Sequence, residues 1–276
     1  MARESITEAA RLRNEAYRSD CRLNQRRDLY QFATPRYDLE DEVMRRLPLT
    51  DAQERRLLDA GCGNGALLLS LARRFPKVQL TGLDLSPGVF THAAAEAKQQ
   101  NFPINFLVGD VQNLPFASGS FDCATTIHMI YHVPDIARGL AELARVLIKK
   151  GTLVLTANSQ GSLPRMKMLK RKAAELMGME LYRQVDDRFN TEGGAEFLRQ
   201  HFSTVKLETC PSTIRLRDPE PYVHYLDSTR PFWQPAPDDQ MWHRALVMIR
   251  QAIQAEIERE GEFTDEKNFG IFTAEK

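Results

Sequence analysis

The chain has 276 residues, 42% of them hydrophobic and 27% charged, with Lys+Arg and Asp+Glu both at 37. This is the composition of an ordinary globular protein long enough for one α/β domain with an insertion, and the zero net charge removes the usual electrostatic footprint of nucleic-acid binding. No apolar run approaches membrane-spanning length, and MARESITEAARLRNEAYR lacks a signal-peptide core, so a cytoplasmic chain with no membrane partner is expected.

Residues 3 to about 47 read as helices broken near Thr34-Pro35, since proline disfavours helix at the residue before it. From residue 55 short apolar strands alternate with helices. RRLLDAG is a strand and NGALLLSLARRF its helix; KVQLTGLDLS is the next strand, followed by a helix opening at Pro87. INFLVGD and FDCATTIHM are the third and fourth strands, DIARGLAELARVL a helix, and GTLVLTAN the fifth strand. Such alternation implies right-handed crossovers and a parallel sheet covered by helices on both faces.

Beyond residue 160 the pattern loosens. GSLPRMKMLKRKAAELMG and TEGGAEFLRQHF read as helices, and STVKLETCP as a sixth strand. The basic run RMKMLKRK (165–172) reads as a solvated helix face. Residues 217–239 are rich in proline and aromatics and fit no βαβ unit. The helix MWHRALVMIRQAIQAEIEREG follows, with Trp242, Leu246, Ile249, Ile253 and Ile257 on one face, and NFGIFTAEK closes the chain as a strand. The expectation is an α/β, Rossmann-like, doubly wound sheet of seven strands, mostly parallel with a last antiparallel strand. A helical lid would span 1–47, the core 48–216 and 262–276, and a helical cap 217–261.

Cys21, Cys62, Cys123 and Cys210 lie far apart with no C-x-x-C pair, so neither a metal site nor a disulfide framework is expected. The chemistry-bearing stretch is LLDAGCGNGALLL (57–69), with Gly61, Gly63 and Gly65 at alternate positions. A strand, glycines and then a helix place backbone N–H groups at the carboxyl edge of the sheet, where a ligand can approach closely. The same loop satisfies G-x-G-x-x-A, and Asp84 follows Ala66 at 84 − 66 = 18 residues, near the spacing of a ribose contact in a dinucleotide fold. On the loop alone, NAD and a nucleoside ligand are nearly tied.

The flanking motifs break the tie. D-A-G-C-G-N-G from Asp59, LTGLDLSP around Asp84, FLVGDVQNLPFASGSFD around Asp110, and HVPDIARGLAELARVLIKKGTLVLT together resemble the class I S-adenosylmethionine (SAM)-dependent methyltransferases over roughly residues 40–160. Lys149-Lys150-Gly151 stands where that family usually has Lys-Pro-Gly-Gly. The resemblance implies SAM as cofactor and S-adenosylhomocysteine (SAH) as product. Gly61, Cys62 and Gly63 would line the methionine portion, Asp84 and the adjoining Leu85 would meet the ribose, and Asp110 and Val111 the adenine. Asp59 would orient loop amides or the cofactor's amino group, and Ile127 would end the fourth strand against the cofactor.

The family's reactive centre lies beyond that strand, at TTIHMIYHVPD, where His128 and His132 are candidate general bases and His128 a candidate substrate contact. This site lacks the Asn/Asp-Pro-Pro-Tyr pattern of enzymes that methylate adenine or glutamine amides. Tyr17, Tyr30 and Tyr37 in the lid, and Tyr222, His224, Tyr225, Phe232 and Trp233 in the cap, could wall an acceptor pocket. The expected reaction is methyl transfer to oxygen or nitrogen, possibly carbon, of a small aromatic or apolar molecule by a monomer or homodimer. Methylation of RNA or protein would require a basic groove around Lys167, Lys170, Arg171 and Lys172; the other rivals are a non-catalytic SAM-binding module and a nicotinamide oxidoreductase.

Overall fold

In the computed structural model, which describes residues 21–180, 187–233 and 235–276, the apolar stretches form one sheet. The elements in chain order are α1 (Cys21–Leu29), β1 (Ala33–Thr34), α2 (Leu39–Met44), β2 (Arg56–Ala60), α3 (Ala66–Arg74), β3 (Gln79–Asp84), α4 (Thr91–Gln99) and β4 (Ile104–Val108). They continue with β5 (Phe121–Ile127), α5 (Ile136–Val146), β6 (Leu147–Asn158), α6 (Pro164–Leu176), α7 (Gly194–Arg199), β7 (Thr204–Leu216), α8 (Glu220–Ser228), α9 (Asp239–Glu260) and β8 (Phe263–Glu275).

The strand order is β1-β7-β8-β6-β5-β2-β3-β4. β2 pairs in parallel with β3 and β5, β3 with β4, and β5 with β6. β8 runs antiparallel between β6 and β7. The order turns at β2, whose neighbours β3 and β5 lead outward in opposite directions, and that reversal opens the crevice at the carboxyl ends of the strands. The sheet has eight strands: the seven expected and β1, which pairs Ala33 with Ile214 and Thr34 with Thr213 inside the segment read as a helical lid.

Helix α3 shows why the parallel half forms. Leu67, Leu68, Leu71 and Ala72 share its inward face and are buried with Leu57 and Leu80 from the strands beneath. Each fully buried leucine contributes about 1.5–3 kcal/mol relative to an exposed one. Helix α5 is held more formally: the Asp135 side chain accepts from the Arg138 N–H at its N-terminus, and Ile136, Leu140 and Leu143 face the core.

A second core lies under the cap. Trp242, Ala245, Ile249 and Ile253 of α9 pack with Tyr222 and Leu226 of α8, Leu29 of α1, and Met166 and Leu169 of α6. The cap is inserted at the far end of the β7–β8 hairpin, whose last pair is Leu216 with Phe263. The basic run lies on α6, with Met166 and Leu169 buried and Arg171 and Lys172 exposed on its outer side. No described helix is long and apolar enough to cross a membrane. Cys62, Cys123 and Cys210 are free thiols.

Candidate functional site

β2 ends at Ala60, and the chain turns through Gly61, Gly63 and Gly65 at φ 77°, 51° and 73°. A Cβ on Gly61 would stand 2.3 Å from Met129 Cγ, and one on Gly65 2.6 Å from Ala93 Cβ of α4. The turn therefore needs glycine for its left-handed backbone and for close packing by neighbouring side chains, apart from any ligand. Its amides are ordered from β3: Gly61 and Cys62 donate to the Leu83 carbonyl at 2.7 and 3.1 Å, and Gly63 donates to Asp84 Oδ2 at 2.9 Å.

Three carboxylates stand at the ends of successive strands. Asp84 also accepts from the Ser86 N–H at 2.9 Å, and burial pushes its carboxyl above the ordinary range against those hydrogen bonds. Asp59 is 2% exposed and accepts from the Thr125 hydroxyl at 2.7 Å; burial, with the nearby Asp84 charge adding to it, raises its pKa to about 7. Asp110 accepts from the Gln112 N–H at 2.9 Å, at the start of a single 3-10 turn that buries Val111.

After β5 the chain enters TTIHMIYHVPD with His128 at φ 49°, a left-handed conformation uncommon for a residue with a Cβ. The His128 N–H donates to the Thr156 hydroxyl at 2.9 Å, and the imidazole meets Phe269 edge-on at 5.8 Å between centroids. His132 stacks on Phe232 at 5.9 Å. The Arg188 guanidinium clamps this loop by donating to the carbonyls of Tyr131, Val133 and Pro134 at 3.0, 2.8 and 2.7 Å. Both histidines are pushed down to about 3: His128 by burial and the charge of Lys267, His132 by burial and the charges of Arg26 and Arg188. They are neutral imidazoles at neutral pH, with little affinity for a further proton.

One cavity of about 440 Å³ joins these groups. Asp59, Gly61, Cys62, Gly63, Asp84 and Leu85 line it, as do Asp110, Val111, Ile127, His128 and His132. Of the expected aromatic walls, Tyr30, Tyr37 and Tyr225 line it. Tyr222 and Trp233 do not, which corrects the expectation of a substrate contact. The Tyr222 ring is wholly buried and its hydroxyl donates to Asp265, while Trp233 packs edge-on against Trp242 at 5.4 Å. Their apolar area holds the cap to the sheet. Tyr17 lies outside the described residues.

Sequence reasoning missed the wall supplied by β8 and its neighbours. Lys267, Phe269, Asn158 and Ser212 all line the cavity. Lys267 is 5% exposed; its Nζ donates to Asn158 Oδ1 at 2.5 Å, and its carbonyl accepts from the Ser212 hydroxyl at 2.7 Å. A signal was available: Phe263, Asp265, Lys267 and Phe269 alternate in the sequence, and in the structure all four point inward from β8.

Residues 58–155 match the family described as "Methyltransferase domain". The chain is 33% identical over 139 residues to a demethylmenaquinone methyltransferase of Deinococcus radiodurans, covering 46% of this chain and 58% of that one. It is 30% identical over 110 residues to ajmaline N-methyltransferase of Rauvolfia serpentina, covering 39% and 38%. The chain thus spans little more than half the length of the first of these relatives and less of the second. Among solved structures, phosphoethanolamine N-methyltransferase 2 of Haemonchus contortus, in complex with phosphomonomethylethanolamine and S-adenosylhomocysteine, superposes with a TM-score of 0.55 at 20% identity, over 87% of this chain and 52% of that one. The motif order, the strand order with its antiparallel insertion, and these matches agree: residues 58–155 are a methyltransferase domain, and the chain around them is similar to the class I SAM-dependent methyltransferases.

Proposed function

We propose that this chain binds SAM in the glycine-turn half of the cavity and transfers its methyl group to an oxygen or nitrogen of a small aromatic or apolar molecule. The observation that carries the reading is the continuity of one cavity from Asp84 and Asp110 to the aromatic wall beyond β5. The donor set suits the cofactor. Asp84 is a carboxylate with about four acceptor sites; it accepts from Gly63 of the glycine turn and from Ser86 of its own loop, and its remaining acceptor capacity suits the ribose hydroxyls. Asp110 suits an adenine amino group and Val111 the ring face, while Gly61, Cys62 and Gly63 flank the methionine portion, and Leu85 and Ile127 supply apolar surface. Asp59 suits the cofactor's amino group.

When bound, SAM supplies an electrophilic methyl on a sulfonium, and its transfer leaves the C–S electron pair on sulfur in SAH. The chain's own work is then to orient the acceptor and exclude water. Tyr37 and Tyr225 serve as walls, and His128 and His132, neutral at working pH, orient the acceptor by hydrogen bonds. The described part of the N-terminal segment, with Tyr30 and Tyr37, and the cap, with Tyr225, close the acceptor side. We place the acceptor among small molecules in the cytoplasm, with neither nucleic acid nor membrane as partner.

Calorimetric titration of the chain with SAM, SAH and NAD tests this. The two adenosyl ligands should bind and NAD should not. Asp84→Ala should weaken binding at least ten-fold, since a hydrogen bond to a charged group is worth about 1.5–3 kcal/mol. Binding of NAD alone, or of no ligand by the wild-type chain, refutes the reading.

A further inference from the structure

We infer that His128 selects the acceptor by hydrogen bonding through its imidazole to the attacking atom, and that this atom is the oxygen of an un-ionised hydroxyl on a flat ring. The inference deepens the methyl-transfer reading above and rests on it.

His128 stands where the two halves of the cavity meet. The residue before it, Ile127, ends β5 and pairs with Thr156 of β6. The residue after it, Met129, fills the space that a Cβ on Gly61 would take. The His128 ring itself meets Phe269 of the β8 wall at 5.8 Å. One neighbour thus touches the glycine turn, while the ring touches the acceptor wall. The backbone is held at φ 49° by the bond from the His128 N–H to the buried Thr156 hydroxyl at 2.9 Å. A residue with a Cβ persists in that conformation only where its surroundings over-determine it, and such positions cluster at functional sites.

The imidazole is uncommitted. Nδ1 is wholly buried and makes no hydrogen bond. Nε2 bonds to none of the described residues either, and it is the nitrogen left to meet a ligand in the cavity that His128 lines. Burial and the charge of Lys267 keep the ring neutral, with its proton on one nitrogen. In a histidine whose far nitrogen donates to a carbonyl or carboxylate, that bond fixes which nitrogen carries the proton. His128 has no such bond, so its ligand sets the tautomer.

A hydroxyl suits this ring best, because it donates to Nε2 when that nitrogen is bare and accepts from it when it holds the proton. An aromatic amine can donate, but its lone pair is drawn into its own ring and accepts poorly. A ring without either group leaves Nε2 unpaired in a closed site, at the cost of an unsatisfied polar atom. When the oxygen takes the methyl, its proton passes to bare Nε2 and on to bulk water, and the electron pair of the broken C–S bond stays on sulfur. An oxygen that has gained a methyl while keeping its proton is a far stronger acid than an imidazolium, even one pushed down to about 3, so a weak base suffices. Tyr30, Tyr37 and Tyr225 line the same cavity and suit the flat ring that carries the hydroxyl.

The test uses the full chain saturated with SAH and three probes of one shape: 4-nitrophenol, 4-nitroaniline and nitrobenzene. Binding is measured in a buffer acidic enough to keep the free phenol protonated. The wild-type chain should bind 4-nitrophenol about ten-fold more tightly than nitrobenzene, and more tightly than 4-nitroaniline. His128→Leu should bring 4-nitrophenol and nitrobenzene to equal affinity. His128→Asn, which tolerates the left-handed backbone and keeps a donor and an acceptor, should retain part of the preference. SAH affinity and thermal unfolding are measured for each variant. If His128→Leu does not bind SAH, His128→Gly, which relieves the left-handed strain, takes its place. A wild-type chain that prefers 4-nitroaniline, or binds 4-nitrophenol no more tightly than nitrobenzene, overturns the inference alone. So does an undiminished preference in an SAH-binding variant without the imidazole, or failure of all three probes to bind the SAH-loaded chain. Failure of the wild-type chain to bind SAH overturns the methyl-transfer reading and this inference with it.

Discussion

At the glycine-turn end of the cavity, the lining comes from loops that follow parallel strands, and its ionisable groups are the carboxylates Asp59, Asp84 and Asp110. At the other end it comes from the antiparallel strand β8, from β6, and from the segment before β2, and its basic groups include the buried amine of Lys267. Parallel strands end together at one edge, so the strand ends and the short turns after them deliver a cluster of like groups, Asp84 and Asp110 held by backbone N–H donors and Asp59 by the Thr125 hydroxyl. An antiparallel strand instead runs past that edge. Its alternate side chains continue beyond the parallel ends, and a charge there must be neutralised or solvated by whatever packs on it, an amide and two aromatic rings among its neighbours here.

The sharpest break at the first end is Gly61→Ala. A methyl there meets Met129 Cγ at 2.3 Å on a backbone at φ 77°, so left-handed strain and overpacking add. We expect a loss of about 2–5 kcal/mol in chemical denaturation. Combining it with Met129→Ala should recover the packing share and leave about 1–2 kcal/mol of backbone strain. A single substitution without effect on stability would show that Met129 moves aside freely.

A smaller effect separates packing aromatics from cavity aromatics. Tyr222→Phe removes a donor from the buried Asp265 carboxylate and should cost about 1–3 kcal/mol of stability. SAH binding should stay unchanged, because Tyr222 does not line the cavity. Tyr225→Phe should do the reverse for 4-nitrophenol, weakening its binding with little change in thermal unfolding. Equal loss of probe binding in both variants would return Tyr222 to the acceptor wall.

The two ends also differed in how openly they were written. β2, β3 and β5 are short, largely apolar runs, the first two ending at glycine or acid, and each was legible because a strand buried on both faces has little room for polar residues. β8 was read only from Asn268, since TDEK before it looks like a solvated loop. In the structure the strand begins at Phe263 and turns Asp265 and Lys267 inward, where their partners come from α6, α8 and β6. Those partners lie about 40 to 110 residues away in sequence, so no local pattern announces them. β7 was likewise ended too early, at Pro211, yet that residue sits opposite Asn268 within the ladder. The acceptor wall was missed for the same reason as these strand ends: its chemistry resides in inward-facing polar residues that only tertiary contacts make tolerable.

The smallest effect we predict is a slope rather than a step. Burial holds Asp59 near pKa 7, well above the ordinary carboxylate value of 3.8, so below pH 7 the ligand-free chain keeps it protonated. For stability the sign follows from the raised value: the contribution of this group is full below the ordinary carboxylate pKa and is lost as pH rises through about 7. His128 and His132 act in the opposite sense, costing stability as pH falls below 6.5. A stability profile would mix the two, and ligand binding separates them. If the amino group of SAH meets Asp59, the bound state favours the carboxylate, and binding releases a proton below pH 7. Affinity for SAH should then fall as pH drops from 7 toward 5, by at most about ten-fold per unit, and level off above 7. Asp59→Asn should flatten that slope while still accepting from Thr125. 5′-Methylthioadenosine, which lacks the amino group, should bind the wild-type chain with no such slope. An equal slope for both ligands would detach Asp59 from the amino group and leave it a buried acid that only orders its own strand end.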